Sequence, residues 1–295
     1  MQSVSIIGVG RIGGALAIAL TRADFEIEFL IHRDPTIVHL VTAFLPATVK
    51  LVPASDHLPA FQSDIVLVTT PDPDIAHVGA LLRGRLKDGS VVLHTSGSLS
   101  SEIFADLAAA GHHVGSVHPL VSVSDAVSGA DNFSNVFFCL EGDEAAVTAA
   151  RAIVEALGGR PFSIDSAHKP LYHAAAVTAC GHLVALIDIA AEMLAKCGVE
   201  KEGAKQILLP LITSTINNLQ TQTPARALTG SFARMDSSAV ERHLSAIDRE
   251  MSERVREVYL LLGEQSLDLA ASIGGNAADE EKLREVISIA KRKSG

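Results

Sequence analysis

The chain has 295 residues, enough to bury a core without disulfide staples, and two domains are expected at this length. Its 24 Lys and Arg stand against 34 Asp and Glu, a net charge of -10 that repels nucleic-acid phosphates and anionic membrane surfaces and excludes both as expected partners. Cys139, Cys180 and Cys197 are widely spaced, with no Cys-x-x-Cys pair and no zinc spacing to histidine, so reduced, buried thiols in a cytoplasmic protein without metal are expected.

The first residues enter "SVSIIGVG" with no basic and apolar leader ahead of them, so no secretory signal is expected. Short apolar runs predict strands at Val4–Gly8, Glu26–Ile31, Val49–Val52, Ile65–Thr69, Val91–His94, Val114–Val117, Val136–Leu140 and Pro161–Ile164. Helical patterns at Arg11–Arg22, Asp74–Leu82, Ser100–Ala110 and Glu144–Leu157 fall between them. This alternation predicts an α/β domain, a doubly wound and mostly parallel Rossmann sheet, over residues 1–164.

After Ile164 the period becomes helical to the end, so residues 165–295 are expected to form an all-α domain. Its segments are Ser166–Cys197, Lys201–Leu219 with a bend at Pro210, Ser237–Ser272 broken or bent near Gly263, and Ala277–Lys291. Ser238 and Glu241 fit a capping box, and Asn276 can cap the last helix. Leu171–Ala195 is apolar enough to suggest a membrane span, but His173, His182, Asp188 and Glu192 interrupt it, so a buried interior helix is expected. His182 is expected to be a core histidine.

"SIIGVGRIGGALAIAL" sets Gly8, Gly10 and Gly13 in a G-x-G-x-x-G array after a strand and at a helix start. Such an array lets a pyrophosphate approach the backbone and meet the helix N-terminus, with Arg11 and Ile12 inside the turn. At the end of the second strand, "FLIHRDP" carries His32 and Arg33 where an NAD-selective acid would stand, and Arg33 can pair a 2'-phosphate; NADP is expected rather than NAD. Alternatively Arg33 is a solvated charge and Asp34 grips the ribose. Thr69, Thr70 and Pro71 end one strand and Thr95, Ser96 and Gly97 the next, outlining a nicotinamide groove.

"GVGRIGGAL", "TTPDPDI", "HTSGS", "SVHPL", "KPLYHAAAV" and "ALTGSFARMDSSAVERHL" together resemble a Rossmann-like oxidoreductase family whose helical part is known as domain of unknown function 2520. The layout is similar to that of ketopantoate reductase, pyrroline-5-carboxylate reductase, prephenate dehydrogenase and the 6-phosphogluconate dehydrogenase group. The resemblance implies a 6-phosphogluconate dehydrogenase-like helical domain that closes the site and forms a homodimer. The family's Gly-Pro-x-x-Arg-Gly-Asp turn is replaced by Gly230, Ser231, Phe232, Ala233, Arg234, Met235 and Asp236, which leaves substrate choice open.

Lys169 and His173 match the resemblance's Lys-x-x-x-Asn pattern, with His in the Asn position, and four residues apart they share a helix face. Lys169 could exchange a proton with a substrate in a partly buried cleft, hold a carboxylate, or snorkel to solvent with His168 and His173 as seam residues. His118, before Pro119, resembles the prephenate dehydrogenase histidine at the reacting hydroxyl; with Ser122 or Ser124 it is an acid/base candidate, or else a turn residue. Arg234 would hold an anionic substrate group, and Asp236 would position it or cap a helix. The expected activity is NADP-dependent hydride transfer to or from a small carbonyl, imine or alcohol bearing a carboxylate. A non-catalytic dinucleotide sensor or scaffold, and an NADPH-dependent reductase of another cofactor such as a deazaflavin, are the alternatives.

Overall fold

The computed structural model describes residues 2–292. All eight expected strands form: β1 (Ser3–Ile7), β2 (Glu26–His32), β3 (Lys50–Pro53), β4 (Ile65–Val68), β5 (Val91–His94), β6 (His113–Pro119), β7 (Phe137–Gly142) and β8 (Arg160–Ser163). They make one sheet in the order β3-β2-β1-β4-β5-β6-β7-β8. Neighbours pair in parallel except β6 and β7, which are antiparallel.

Helices α1 (Arg11–Arg22), α2 (Pro35–Thr42), α3 (Asp72–Leu82), α4 (Ala105–Ala109), α5 (Ala126–Gly129) and α6 (Glu144–Ala156) connect the strands. Successive strand side chains take opposite faces, so each central strand feeds two cores. Ile6, Leu30, Leu67 and Leu93 pack with Leu16 and Leu20 of α1 and Ile153 of α6. Ile7, Val66, Val68 and Val92 pack with Ile75 and Val78 of α3 and with Phe104 and Leu107. The near-continuous apolar runs visible in the sequence follow from burial on both faces.

The helical half comprises α7 (Lys169–Val177), a π turn at Thr178–His182, α8 (Leu183–Lys196), α9 (Lys201–Thr221), α10 (Pro224–Ala227), α11 (Gly230–Ala233), α12 (Ser237–Glu250), α13 (Glu253–Ser272) and α14 (Ala277–Arg292). By its contacts the chain divides into Met1–Cys180 and Gly181–Gly295, later than the composition shift at Ile164. Residues 165–180 stay with the sheet because Lys169 and Tyr172 bond to β6 and β7.

Several expectations for this half are corrected. The apolar segment from Ser166 to Lys196 is not an interior helix: only 6% of its most apolar window is buried, and Leu171 and Val184 are exposed. His182 is exposed as well, as are Cys180 and Cys197; only Cys139 is a buried thiol. The break in the third segment falls at Met251 and Ser252, between α12 and α13, and α13 runs through Gly263. Gly263 makes room instead of a bend, since a Cβ there would stand 2.7 Å from the Phe232 ring. Asp236, not Ser238, caps α12 by accepting from the Ala239 N–H. Asn276 accepts from the Ala278 N–H at the head of α14, as expected.

Within the glycine array, Gly8 takes a φ of +105° that disfavours side chains, and a Cβ on Gly13 would lie 2.2 Å from the Gly8 carbonyl oxygen and 2.3 Å from Thr69 Oγ1. Nothing stands within 4 Å of a Cβ on Gly10. Gly13→Ala is therefore expected to cost at least about 2 kcal/mol of unfolding free energy through overpacking, and Gly10→Ala less than about 0.5 kcal/mol. Urea titration of the two variants checks the contrast, and equal losses would refute it.

Candidate active site

Two groups of residues occupy the carboxyl edge of the sheet, where ligands of doubly wound folds lie. The first surrounds a cavity of about 370 Å³ lined by Gly8, Gly10, Arg33, Thr69, Thr70 and Pro71 among others. Gly10 opens α1 with no side-chain cap, so the helix presents its unpaired N–H groups and positive dipole end. Thr69 Oγ1 donates to the Gly8 carbonyl at 2.7 Å and locks the turn, whereas Thr70 Oγ1 is buried without a partner. An open Gly10, an uncapped helix and an orphaned hydroxyl fit the pyrophosphate half of a dinucleotide.

Arg33 is 78% exposed at the cavity and pairs with Asp74 of α3 at 3.1 Å. Asp34 spends one carboxylate oxygen on the Thr36 N–H, capping α2. Of the remaining residues expected here, Gly13 packs beneath Gly8, Ile12 is half-buried against the core, Arg11 is exposed, and His32 is buried with Nδ1 unpartnered.

The second group forms because β7 runs antiparallel to β6, so that Ser116 faces Glu141 and His118 faces Cys139 across the pair. Residues two apart share a strand face, and α7 covers this one. Lys169, with no exposed surface, donates from Nζ to Ser116 Oγ at 2.5 Å and pairs with Glu141 Oε2 at 3.6 Å. Glu141 is anchored in turn by the Ser101 N–H and hydroxyl and by the Ser116 hydroxyl. Burial lowers the Lys169 pKa against the opposing pull of Glu141. The amine expected in a cleft is thus an interior group.

Three residues on, Tyr172 Oη lies 2.7 Å from His118 Nδ1. Burial raises both the Tyr172 and the Cys139 pKa. The His118 and His173 rings meet edge to face at 5.7 Å, and a Cβ on Gly97 would stand 2.5 Å from His173 Nδ1 and 2.9 Å from His118 Nε2. Only glycine fits beneath the two imidazoles. His173 Nδ1 is buried and unpartnered. Burial, then the neighbouring His173 and Lys169, brings His118 down to about 4, so it is a neutral imidazole at pH 7.

The loop after β5 is drawn together by Asp72, which accepts from Ser96 Oγ at 2.9 Å and Ser98 Oγ at 2.7 Å, while Thr95 extends the ladder with an N–H to the Val68 carbonyl. Buried His94 accepts from the Ser96 N–H and is also depressed to about 4, first by burial and then by Lys169.

Not every expected residue joins these groups. Ser122 and Ser124 are exposed. Arg234 is exposed beside α11 in the second unit, and Asp236 serves as the α12 cap. Ser116, Glu141, Tyr172, Asp72 and His94 were missed. Tyr172 lay three residues past Lys169 and could have been read from helical spacing, whereas Ser116 and Glu141 meet through a strand reversal with no local signature.

A Rossmann-like sheet with a glycine turn at its first crossover is therefore the class of the first half. Residues 1–119 match the Rossmann-like domain and residues 136–266 the family described as Domain of unknown function (DUF2520). No curated protein sequence matches it. Among solved structures it is similar to a provisionally named NADP oxidoreductase from Bacteroides fragilis, at 22% identity over 90% of this chain and 98% of that one, with a TM-score of 0.73. Protein TM1727 from Thermotoga maritima gives 24% identity over 90% and 99% of the two chains, with a TM-score of 0.73. A reductive aminase from Aspergillus terreus, in complex with NADPH and ethyl-5-oxohexanoate, gives 16% identity over 97% and 99%, with a TM-score of 0.65. At these identities the likeness establishes the fold.

Both depressed histidines bear on stability. Between pH 6.5, the unfolded value, and about 4, the folded value, the unfolded chain binds more protons than the native one. Stability is thus full above pH 6.5 and declines as pH falls toward 4, by up to about 3 kcal/mol per imidazole. Urea unfolding from pH 7.5 to 4.5 should show this slope and His94→Gln should flatten it; an equal slope in the variant would assign the effect elsewhere.

Proposed function

We propose that this protein is a cytoplasmic NADP-dependent oxidoreductase that moves hydride to or from a small carbonyl, imine or alcohol. The observation that carries it is the continuity of the carboxyl edge: an open glycine turn and orphaned Thr70 hydroxyl at the cavity, then a converging imidazole pair over Gly97. When bound, the nicotinamide supplies the hydride. Gly8, Gly10 and Thr70 would hold its pyrophosphate, Arg33 the 2'-phosphate, and Thr95, Ser96 and Gly97 would flank the nicotinamide end. Asp34 is drawn to its cap, which favours Arg33 as the group that reads the ribose.

His118 and His173 are the reaction-facing residues. A neutral His118 is suited to polarise a carbonyl or imine by hydrogen bonding, as an electrophile rather than an imidazolium acid. Arg234, exposed in the second unit, is proposed to bind a carboxylate. The free thiols suit a reducing compartment. Among solved structures of similar fold are an imine reductase from Pseudomonas and the aminase complex with NADPH, which supports C=O and C=N substrates as the first to try. Residues 165–295 would supply substrate groups and the dimer contact.

Arg33→Ala is expected to weaken NADPH by at least tenfold, about 1.4 kcal/mol, while leaving NADH unchanged; calorimetric titration decides, and a parallel loss of both nucleotides would assign Arg33 no phosphate role. With keto acids and cyclic imines, His118→Ala should lower kcat by about 100-fold or more with cofactor affinity preserved. Undiminished turnover would remove His118 from the reaction.

A homodimer is proposed on the apolar surface of α8 and α9, where Leu186, Ile207, Leu209 and Leu211 are exposed. Light scattering should return twice the chain mass, and Leu209→Glu with Leu211→Glu should return one. A monomeric parent protein would overturn this assembly.

A further inference from the structure

Lys169, Tyr172 and His173 occupy positions i, i+3 and i+4 of one helix, hence one face of α7. They have different surroundings: the first is sealed inside, the second bonds His118 and the third stands over Gly97. We infer that Lys169 is a positioning residue for the proposed reaction and does not touch substrate: its buried ammonium pins the start of α7 to β6 and β7, and the pin holds Tyr172 so that its phenol fixes His118 with Nε2–H facing Gly97.

Lys169 has no exposed surface, and its nitrogen is engaged by Ser116 Oγ at 2.5 Å and Glu141 Oε2 at 3.6 Å. Its counterion is fixed from the sheet side, because Glu141 also accepts from the Ser101 N–H at 3.0 Å and from the Ser101 and Ser116 hydroxyls. The sheet therefore dictates where the amine rests, and the helix follows. Leaving either charge unpaired in this setting is strongly unfavourable, which makes the pin stiff.

Ser116 and His118 are two apart on β6, and Glu141 and Cys139 are their partners on β7, so one strand face offers two successive rungs. Lys169 takes the rung of Ser116 and Glu141, and Tyr172 takes that of His118. Three helical residues advance about 4.5 Å, so seating the amine seats the phenol in the same movement.

Tyr172 Oη lies 2.7 Å from His118 Nδ1, and burial keeps the proton on the phenol. The phenol therefore donates to His118 Nδ1, leaving the ring proton on Nε2. That nitrogen lies 2.9 Å from where a Cβ on Gly97 would be, so the N–H is presented over the one residue that leaves space for it.

The full chain labelled with ¹⁵N-histidine, without nucleotide at pH 7, reports the tautomer directly through two-bond ¹H–¹⁵N correlations. The parent protein should show His118 in the Nε2–H form. Tyr172→Phe should give a mixture of tautomers, and Lys169→Met should give the same mixture although Tyr172 is intact, with kcat reduced at least tenfold and NADPH affinity unchanged. A folded Lys169→Met protein that keeps the parent tautomer overturns the inference, and does so most directly if turnover is lost, since the amine would then act on substrate itself. Should Lys169→Met fail to fold, Glu141→Gln removes the counterion while keeping an acceptor; it too should mix the tautomers, and an unchanged His118 spectrum overturns the pin. The inference rests on the proposed reaction only for the word positioning. Loss of the tautomer in Lys169→Met, in a protein that reduces no carbonyl or imine, would keep the pin and overturn the function.

Discussion

A charge buried in a protein must be met by a partner, and in the compact unit Met1–Cys180 Lys169 imposes that requirement on three elements at once. The ammonium needs Glu141, Glu141 needs Ser101 and Ser116, and all of them need α7 to lie along β6 and β7. The single antiparallel pairing makes this possible. In parallel register the strands would advance together, whereas the reversal of β7 brings a carboxylate and a thiol from one end of a strand against a serine and an imidazole from the other. The Rossmann-like sheet supplies rigidity, and the reversed strand supplies the polar interior.

The two ends of the carboxyl edge work by different physics. At the cavity, backbone geometry dominates: a positive φ at Gly8, a close approach at Gly13 and a bare helix terminus at Gly10 create a place for anionic groups with few side chains. At Gly97 the contributors are side chains whose ionisation is suppressed. His94 and His118 are both depressed to about 4, with burial as the first cause and the Lys169 charge among the others. A cation nearby and little water keep the imidazoles neutral, so they offer directional hydrogen bonds and leave permanent charge to the paired Lys169 and Glu141 behind them.

Much of the fold was legible in the sequence because burial on both faces writes continuous apolar strands, and because Gly8, Gly10 and Gly13 have a spacing that few other structures require. His118 and His173 could be picked out as candidates, and the structure brings them together over Gly97. Lys169 was legible as a candidate from its four-residue spacing to His173, but its surroundings were not. They depend on Glu141 and Ser116, residues whose proximity arises from strand direction, and direction leaves no periodic trace. The helical half was misread where apolar pattern was equated with interior position: the same spacing of leucine and alanine describes a face buried in its own chain and one left on the surface, as on α8. Gly263 was misread for a related reason, since a glycine that admits the Phe232 ring looks in sequence like one that breaks a helix.

The late position of Lys169 in the chain has a consequence for biosynthesis. A ribosome releases β6 and β7 well before residue 169, so for a time the nascent sheet carries Glu141 and Ser116 with no cation to receive them. Closing that face early would strand a carboxylate in an apolar interior, so the emerging sheet must keep it hydrated until α7 arrives. Completion of the first compact unit is thereby tied to the emergence of the segment up to Cys180 rather than to the last strand.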